Sequence, residues 1–249
     1  MLYDVFYLFL LFFIYSILGY LFEVTFVSLC TKKINFSRGF LLGPYIPIYG
    51  LGIICIVKLL HKYENDLLIL FIMSTLVCTV LEYTISVIME KLFKLRWWDY
   101  SHMSFNINGR VCLLNSFIFG IGGIIITKLI NPSIESLLQS IPNWLTITLS
   151  ILTAIVFITD IIISLIAMLN IKIEVKKYTK KDATETIKEE IADFLKNHHF
   201  IRKMIGRLFA AYPNVNSRKN INFTTYKDLI SRIKKEVKEA QKNLKKTKK

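Results

Sequence analysis

Four carboxylates stand in stretches otherwise apolar enough to lie in hydrocarbon: Glu23, Glu82, Glu90 and Asp160. An acidic group at the centre of a bilayer costs about 2.5–3.5 kcal/mol on insertion scales, so it needs a partner or a task. Two arginines, Arg38 and Arg110, follow Glu23 and Glu82 on the loops that leave those stretches. The expected pairs are Glu23 with Arg38 and Glu82 with Arg110. Such pairs either lock a helix bundle or line a path for substrate or protons. Three runs carry polar stripes at helical spacing. They are Ser16, Tyr20 and Glu23; Thr75, Thr79, Glu82, Ser86 and Glu90; and Thr153, Asp160 and Ser164. Residues three, four or seven apart share one helix face. Lipid cannot satisfy these groups, so the three stripes are expected to face one another. At about 1.5 Å per residue, Glu23 and Glu82 lie roughly 10–12 Å from the cytoplasmic ends of their helices, with Asp160 nearer the midplane.

The charged positions recur. Residues 18–60 and 77–130 overlay as two hydrophobic hairpins, with Glu23 on Glu82, Thr25 on Thr84 and Lys32 on Lys91 at one offset. After an insertion in the second copy, Arg38 falls on Arg110, Gly50-Leu51-Gly52 on Gly120-Ile121-Gly122, and Lys58 on Lys128. Coincident charges in apolar sequence are informative because each is expensive there. Paired hairpins are the pattern of a pseudo-symmetric membrane protein built about a polar centre.

Two segments interrupt this frame. Residues 38–52 read RGFLLGPYIPIYGLG. Pro44 and Pro47 each lack an N–H, and the glycines admit strained turns, so a broken or re-entrant stretch is expected rather than a regular helix. Together with Tyr45 and Tyr49 it is a candidate wall of a ligand site, since non-helical backbone survives at depth only under protein or against a water-filled cavity. A proline kink that serves packing alone is the rival reading. Residues 96–110 read RWWDYSHMSFNINGR. Trp97, Trp98 and Tyr100 suit the membrane–water interface. Asp99, Asn106, Asn108 and Arg110 are interleaved with them, which fits a loop folded back as a gate or docking surface.

These segments have to be held by membrane helices. The chain of 249 residues is 53% hydrophobic, with apolar runs of the ~20 residues that cross a bilayer. Spans are expected at about 5–29, 44–60, 67–90, 111–130 and 144–169, the second being short and broken by Pro and Gly. The beginning lacks the basic leader and cleavage site of a signal peptide. Residues 1–170 hold 10 Lys/Arg against 9 Asp/Glu, whereas residues 171–249 hold 22 against 9, nearly all of the net charge of +14. Positive segments stay in the cytoplasm, so the tail is expected inside and the N-terminus outside. Helices are expected in the tail from Asp182 to about residue 197, over 199–211, and again after Thr225. The middle one, with Phe200, Ile201 and Leu208 among Arg202, Lys203 and Arg207, is basic and amphipathic, suited to anionic lipid or to packing in a small helical domain. Topology accounts for the basic charge, so nucleic acid is not an expected partner. Cys30, Cys55, Cys78 and Cys112 have no metal-ligand spacing with one another or with His61, His102, His198 and His199. No metal and no cofactor are expected.

The fold expected is therefore all-α: a polytopic membrane helix bundle of about five spans. Residues 1–170 form the transmembrane domain, with repeat one at 5–60, repeat two at 67–130 and an extra span at 144–169. Residues 171–249 form a basic cytoplasmic helical tail. The strings RGFLLGPYIPIYG, LEYTISVIMEKLF, RWWDYS and FNINGRVCLLNS resemble the type IV ABC-transporter family of CmpB-like bacterial membrane proteins, over roughly residues 8–215. The resemblance implies a permease-like subunit of an export or import system. Its motif positions here are Arg38, Gly43, Pro44, Pro47, Tyr49, Gly50, Glu82, Glu90, Trp97, Trp98, Asp99, Tyr100, Asn106, Asn108, Gly109 and Arg110. The chain has no GxxxxGK[ST] phosphate loop, so a separate ATPase subunit is implied. Five spans are few for a complete path, so a homo- or hetero-oligomer is expected. Two alternatives stand beside this reading. One is a non-catalytic scaffold or sensor. The other is a membrane-embedded enzyme acting on lipid, with Glu23 and Glu82 as acid and base and the arginines on phosphate. Against the enzyme, there is no Ser-His or Cys-His constellation and no acidic metal motif.

Overall fold

A computed structural model describes residues 2–32, 34, 36–93, 96–179, 207 and 211. The helices expected in the tail before 207 and after 211 lie outside the described residues. Among the described residues, six α-helices carry the fold: α1 Leu2–Thr31, α2 Pro47–Leu59, α3 Leu67–Phe93, α4 Leu113–Ile125, α5 Asn131–Ser140 and α6 Asn143–Thr179. Two short strands, β1 Asn106–Ile107 and β2 Val111–Cys112, pair antiparallel in the loop between α3 and α4.

Local chemistry sets these boundaries. No Gly or Pro interrupts residues 67–93, and Asp66 caps the start of α3 by accepting the amides of Leu68 and Ile69. Pro47 opens α2 at its first turn, where a missing N–H costs nothing. Between α4 and α5 the backbone widens into a π turn over Ile126–Ile130. Pro132 lies just beyond, and its ring would strike the carbonyl four residues back in a regular helix. The wider turn relieves that clash while α4 and α5 continue as one apolar rod.

Four stretches are long and apolar enough to cross a membrane: Leu2–Leu29, Leu67–Phe93, Leu113–Ser140 and Asn143–Ile166. α2 has 13 residues, about 20 Å of helix, which falls short of ~30 Å of hydrocarbon. It packs antiparallel on α1: Gly50 sits against Ser16 and the Phe12 carbonyl, and the Lys58 ammonium lies 5.9 Å from the Tyr7 ring. α4 packs on α3 by the same device, with Gly120 against Thr75 and Phe71 and Gly123 against Ser74. A methyl group at any of these glycines would collide with its neighbour, so the close approach depends on hydrogen at those positions. α6 runs along α1, with the Ser150 hydroxyl on the Phe6 carbonyl and Phe157 stacked edge-on against Phe12 and Phe13. At the far end α5 closes the bundle. Leu138 joins Leu10, Leu11 and Tyr15, and the Tyr15 hydroxyl donates to Asn131 Oδ1 at 2.6 Å.

Candidate functional site

Residues 36–46 are non-helical, as their prolines and glycines predict, and they lie at the depth of the middle of α1. Tyr20 donates its hydroxyl to the Phe36 carbonyl at 2.7 Å, and the Ile46 amide donates to the Ser16 carbonyl at 2.9 Å. Such backbone has to be satisfied by protein. Asp160 of α6 does most of this. Its Oδ1 accepts the Leu42 amide at 2.9 Å and the Ser164 hydroxyl at 3.0 Å; its Oδ2 accepts the Gly43 amide at 2.7 Å and the Tyr45 hydroxyl at 2.5 Å. Asp160 is thus a fixed counterpart of the interrupted stretch, buried with all four donors on it. Pro44 lies exposed at the tip, so it lines no interior surface; Tyr45 is buried against Phe13 and Phe157.

Glu23 sits beside this stretch, half-buried. It accepts a hydrogen bond from Tyr49 and feels the charge of Arg38. The Arg38 guanidinium itself donates to the Ala211 carbonyl at 3.0 Å. The expected Glu23–Arg38 relation is therefore electrostatic proximity rather than a shared hydrogen bond.

The second expected pair is replaced. Arg110 Nη2 lies 2.7 Å from Glu90 Oε2, and Nη1 donates to Ser86 at 3.1 Å. Glu82 takes a different partner, the Tyr100 hydroxyl at 3.3 Å, and its Oε2 is buried with no hydrogen-bond partner. Glu82, Ser86 and Glu90 share a helix face, so a shift of the loop by two turns moves Arg110 from one carboxylate to the other. Burial first, and then the Glu82 carboxylate, push the Tyr100 phenol up, so it remains a proton donor to Glu82.

The loop 96–112 is folded around this network. Arg96 Nε lies 3.5 Å from Glu90 and Nη1 3.3 Å from Asp99. Partial burial opposes ionisation of Asp99, but the Ser101 hydroxyl and amide and the Arg96 guanidinium hold its carboxyl below the usual range. Asn106 accepts the Gly109 amide and donates to the Met103 carbonyl. Asn108 and Gly109 both take positive φ, 53° and 66°, at the centre of the turn from Ile107 to Arg110. That is the requirement of a type I′ turn, and the Asn-Gly pair is its sequence signal. Asn108 donates to the Tyr83 hydroxyl, and Trp98 Nε1 to the Arg110 carbonyl. Trp97 is not an interfacial belt residue: it is 4% exposed, in a cluster with Phe93 and Met168 that also packs Phe40 and Leu42. Through it the loops of the two hairpins meet.

The three polar stripes accordingly do not converge on one centre. α1 and α6 bond to the 36–46 stretch, and α3 bonds to α4 and the 96–112 loop, with Thr79 on Ser116 at 2.8 Å. Tyr83, which faces Asn108 and lies 5.8 Å from the Arg110 guanidinium carbon, escaped the sequence reading, as did the Tyr15–Asn131 bond. A phenol in an apolar run carries little signal; Asn131, an amide before a proline within an apolar run, carried one. Among the described residues there is no cluster of three or more His, Cys, Asp or Glu that could hold a metal ion. A family model described as Putative ABC-transporter type IV matches residues 10–165, which include the 36–46 stretch, Asp160 and the 96–112 loop. No curated protein and no solved structure matches the chain.

Proposed function

Because the chain belongs to the Putative ABC-transporter type IV family, we propose that it is a membrane-spanning, permease-like subunit of an ABC-type transport system, driven by an ATPase on a separate chain. One observation carries this reading: the interrupted backbone at 36–46, held at mid-depth between α1 and α6 and beside Glu23. Broken backbone near the midplane is how transporters form substrate sites, because the peptide groups of an unwound segment can turn toward a ligand where a helix's cannot.

In this reading the two hairpins are related copies that rock against each other about the Phe40–Trp97 contact. Coincident details support the relation. Gly50 packs on Phe12 and Ser16 as Gly120 packs on Phe71 and Thr75, and Phe12 and Ser16 fall on Phe71 and Thr75 at the offset that relates Glu23 to Glu82. Thr25 bonds back to the Leu21 carbonyl as Thr84 does to that of Val80. α2 and the stretch before it make a fifth crossing, which puts the N-terminus outside and the basic 171–249 tail in the cytoplasm. The cytoplasmic parts of the loops at 30–43 and 91–110 then form the surface offered to the ATPase, and further subunits complete the path.

Purification from native membranes in mild detergent is expected to recover a nucleotide-binding subunit whose ATP hydrolysis falls at least about tenfold with Arg110→Ala, which removes the guanidinium 2.7 Å from Glu90 and its bond to Ser86. Recovery of the chain alone from intact membranes would overturn the proposal. A scaffold is the second reading, and Asp160 favours it, since three of its four hydrogen bonds hold the 42–45 stretch. Unchanged transport after Glu23→Gln and Glu82→Gln would select that reading.

A further inference from the structure

The interrupted stretch has a second support from far along the chain. Arg38 Nη1 donates to the Ala211 carbonyl at 3.0 Å, and Arg207 Nη2 donates to the Arg38 carbonyl at 3.1 Å. Both Arg207 and Ala211 are helical, and four residues apart they share one face. Ala211 is 4% exposed although it belongs to the most basic part of the chain. We propose that Arg207 and Ala211 form an internal latch: they dock on Arg38 and pin the 36–46 stretch against α1 and α6. The proposal does not depend on the transport reading.

The chemistry favours this seat. Two arginines approach each other only where anionic groups offset them. Glu23 acts on Arg38, and Arg207 acts on Tyr45, whose hydroxyl is bonded to Asp160. Each contact pairs a guanidinium donor with a backbone carbonyl, so together they specify where Arg207 and Ala211 sit. The same basic segment would otherwise lie on anionic lipid, and the two seats exclude each other. Occupation of Arg38 keeps Arg207 off the bilayer; release frees Arg38 and unpins the interrupted stretch.

The test is hydrogen exchange on the full chain in nanodiscs of phosphatidylcholine, with and without phosphatidylglycerol. Peptides covering 207–211 and 39–46 are expected to be protected in both lipids. Arg38→Gln and Arg207→Ala are each expected to raise exchange in both peptides about tenfold, the scale of one hydrogen bond to a charged group. Arg207→Ala leaves Arg38 beside Glu23, so it decides the matter alone if Arg38→Gln disturbs the bundle. Protection of 207–211 that appears only with phosphatidylglycerol, or that survives Arg207→Ala, would overturn the latch.

Discussion

Asp160 and Arg110 illustrate how a charged side chain earns a place in an apolar bundle. Asp160 takes four donors at 2.5–3.0 Å, three of them from the stretch 42–45. Removing it strands two amides and a phenol, each costing about 1–3 kcal/mol when buried without a partner. Asp160→Ala is therefore expected to lose at least about 3 kcal/mol, read as a lower Tm in detergent micelles, with Tyr45→Phe losing only about 1 kcal/mol. An unchanged Tm for Asp160→Ala would show that the stretch is held by other means. The need for a partner at Glu23, Glu82, Glu90 and Asp160 was legible in residue type and setting. The choice of partner was not. Three polar groups repeat along one face of α3, and which of them an arginine meets depends on how the following loop folds.

At the level of the elements, proline and glycine did most of the visible work. Pro44 and Pro47 foretold the non-helical stretch and the late start of α2, because a missing N–H and a fixed φ act locally. The helix contacts depend on glycine for a different reason, closeness of approach. Gly50→Leu and Gly120→Leu are each expected to destabilise the bundle by about 1–3 kcal/mol through overpacking of α1 on α2 and α3 on α4. Gly122→Ala is the control: a methyl there meets nothing within 4 Å, and its Tm should stay within about a degree of the parent. Equal losses at all three positions would refute the packing argument. The loop 96–112 was legible as dense in donors and aromatics and as folded back, while the burial of Trp97 in it was not. Its turn rests on Asn108 and Gly109, but its seat rests on Trp97, which a composition argument assigns to the interface.

Across the whole molecule, Trp97 joins what the chain keeps separate. It stacks edge-on with Phe40 at 5.5 Å between centroids and with Phe93 at 6.0 Å, so the loop of one hairpin packs on the loop of the other. Trp97→Ala is expected to cost about 3–5 kcal/mol and to raise proteolysis of both loops together, whereas Trp98→Ala should loosen only its own. Cleavage confined to 96–112 after Trp97→Ala would argue against the coupling. Helix, apolar length, backbone interruption and the excess of basic residues beyond 170 follow from the order of residues alone, since each arises from neighbours within a few positions or from summed composition. Four full-length spans with a half-length α2, the transfer of Arg110 to Glu90, the closing of Asp160 around 42–45 and the burial of Trp97 needed the assembled fold. Each depends on which distant groups come within hydrogen-bond or van der Waals reach, a matter that the spacing of residues along one strand of sequence leaves open.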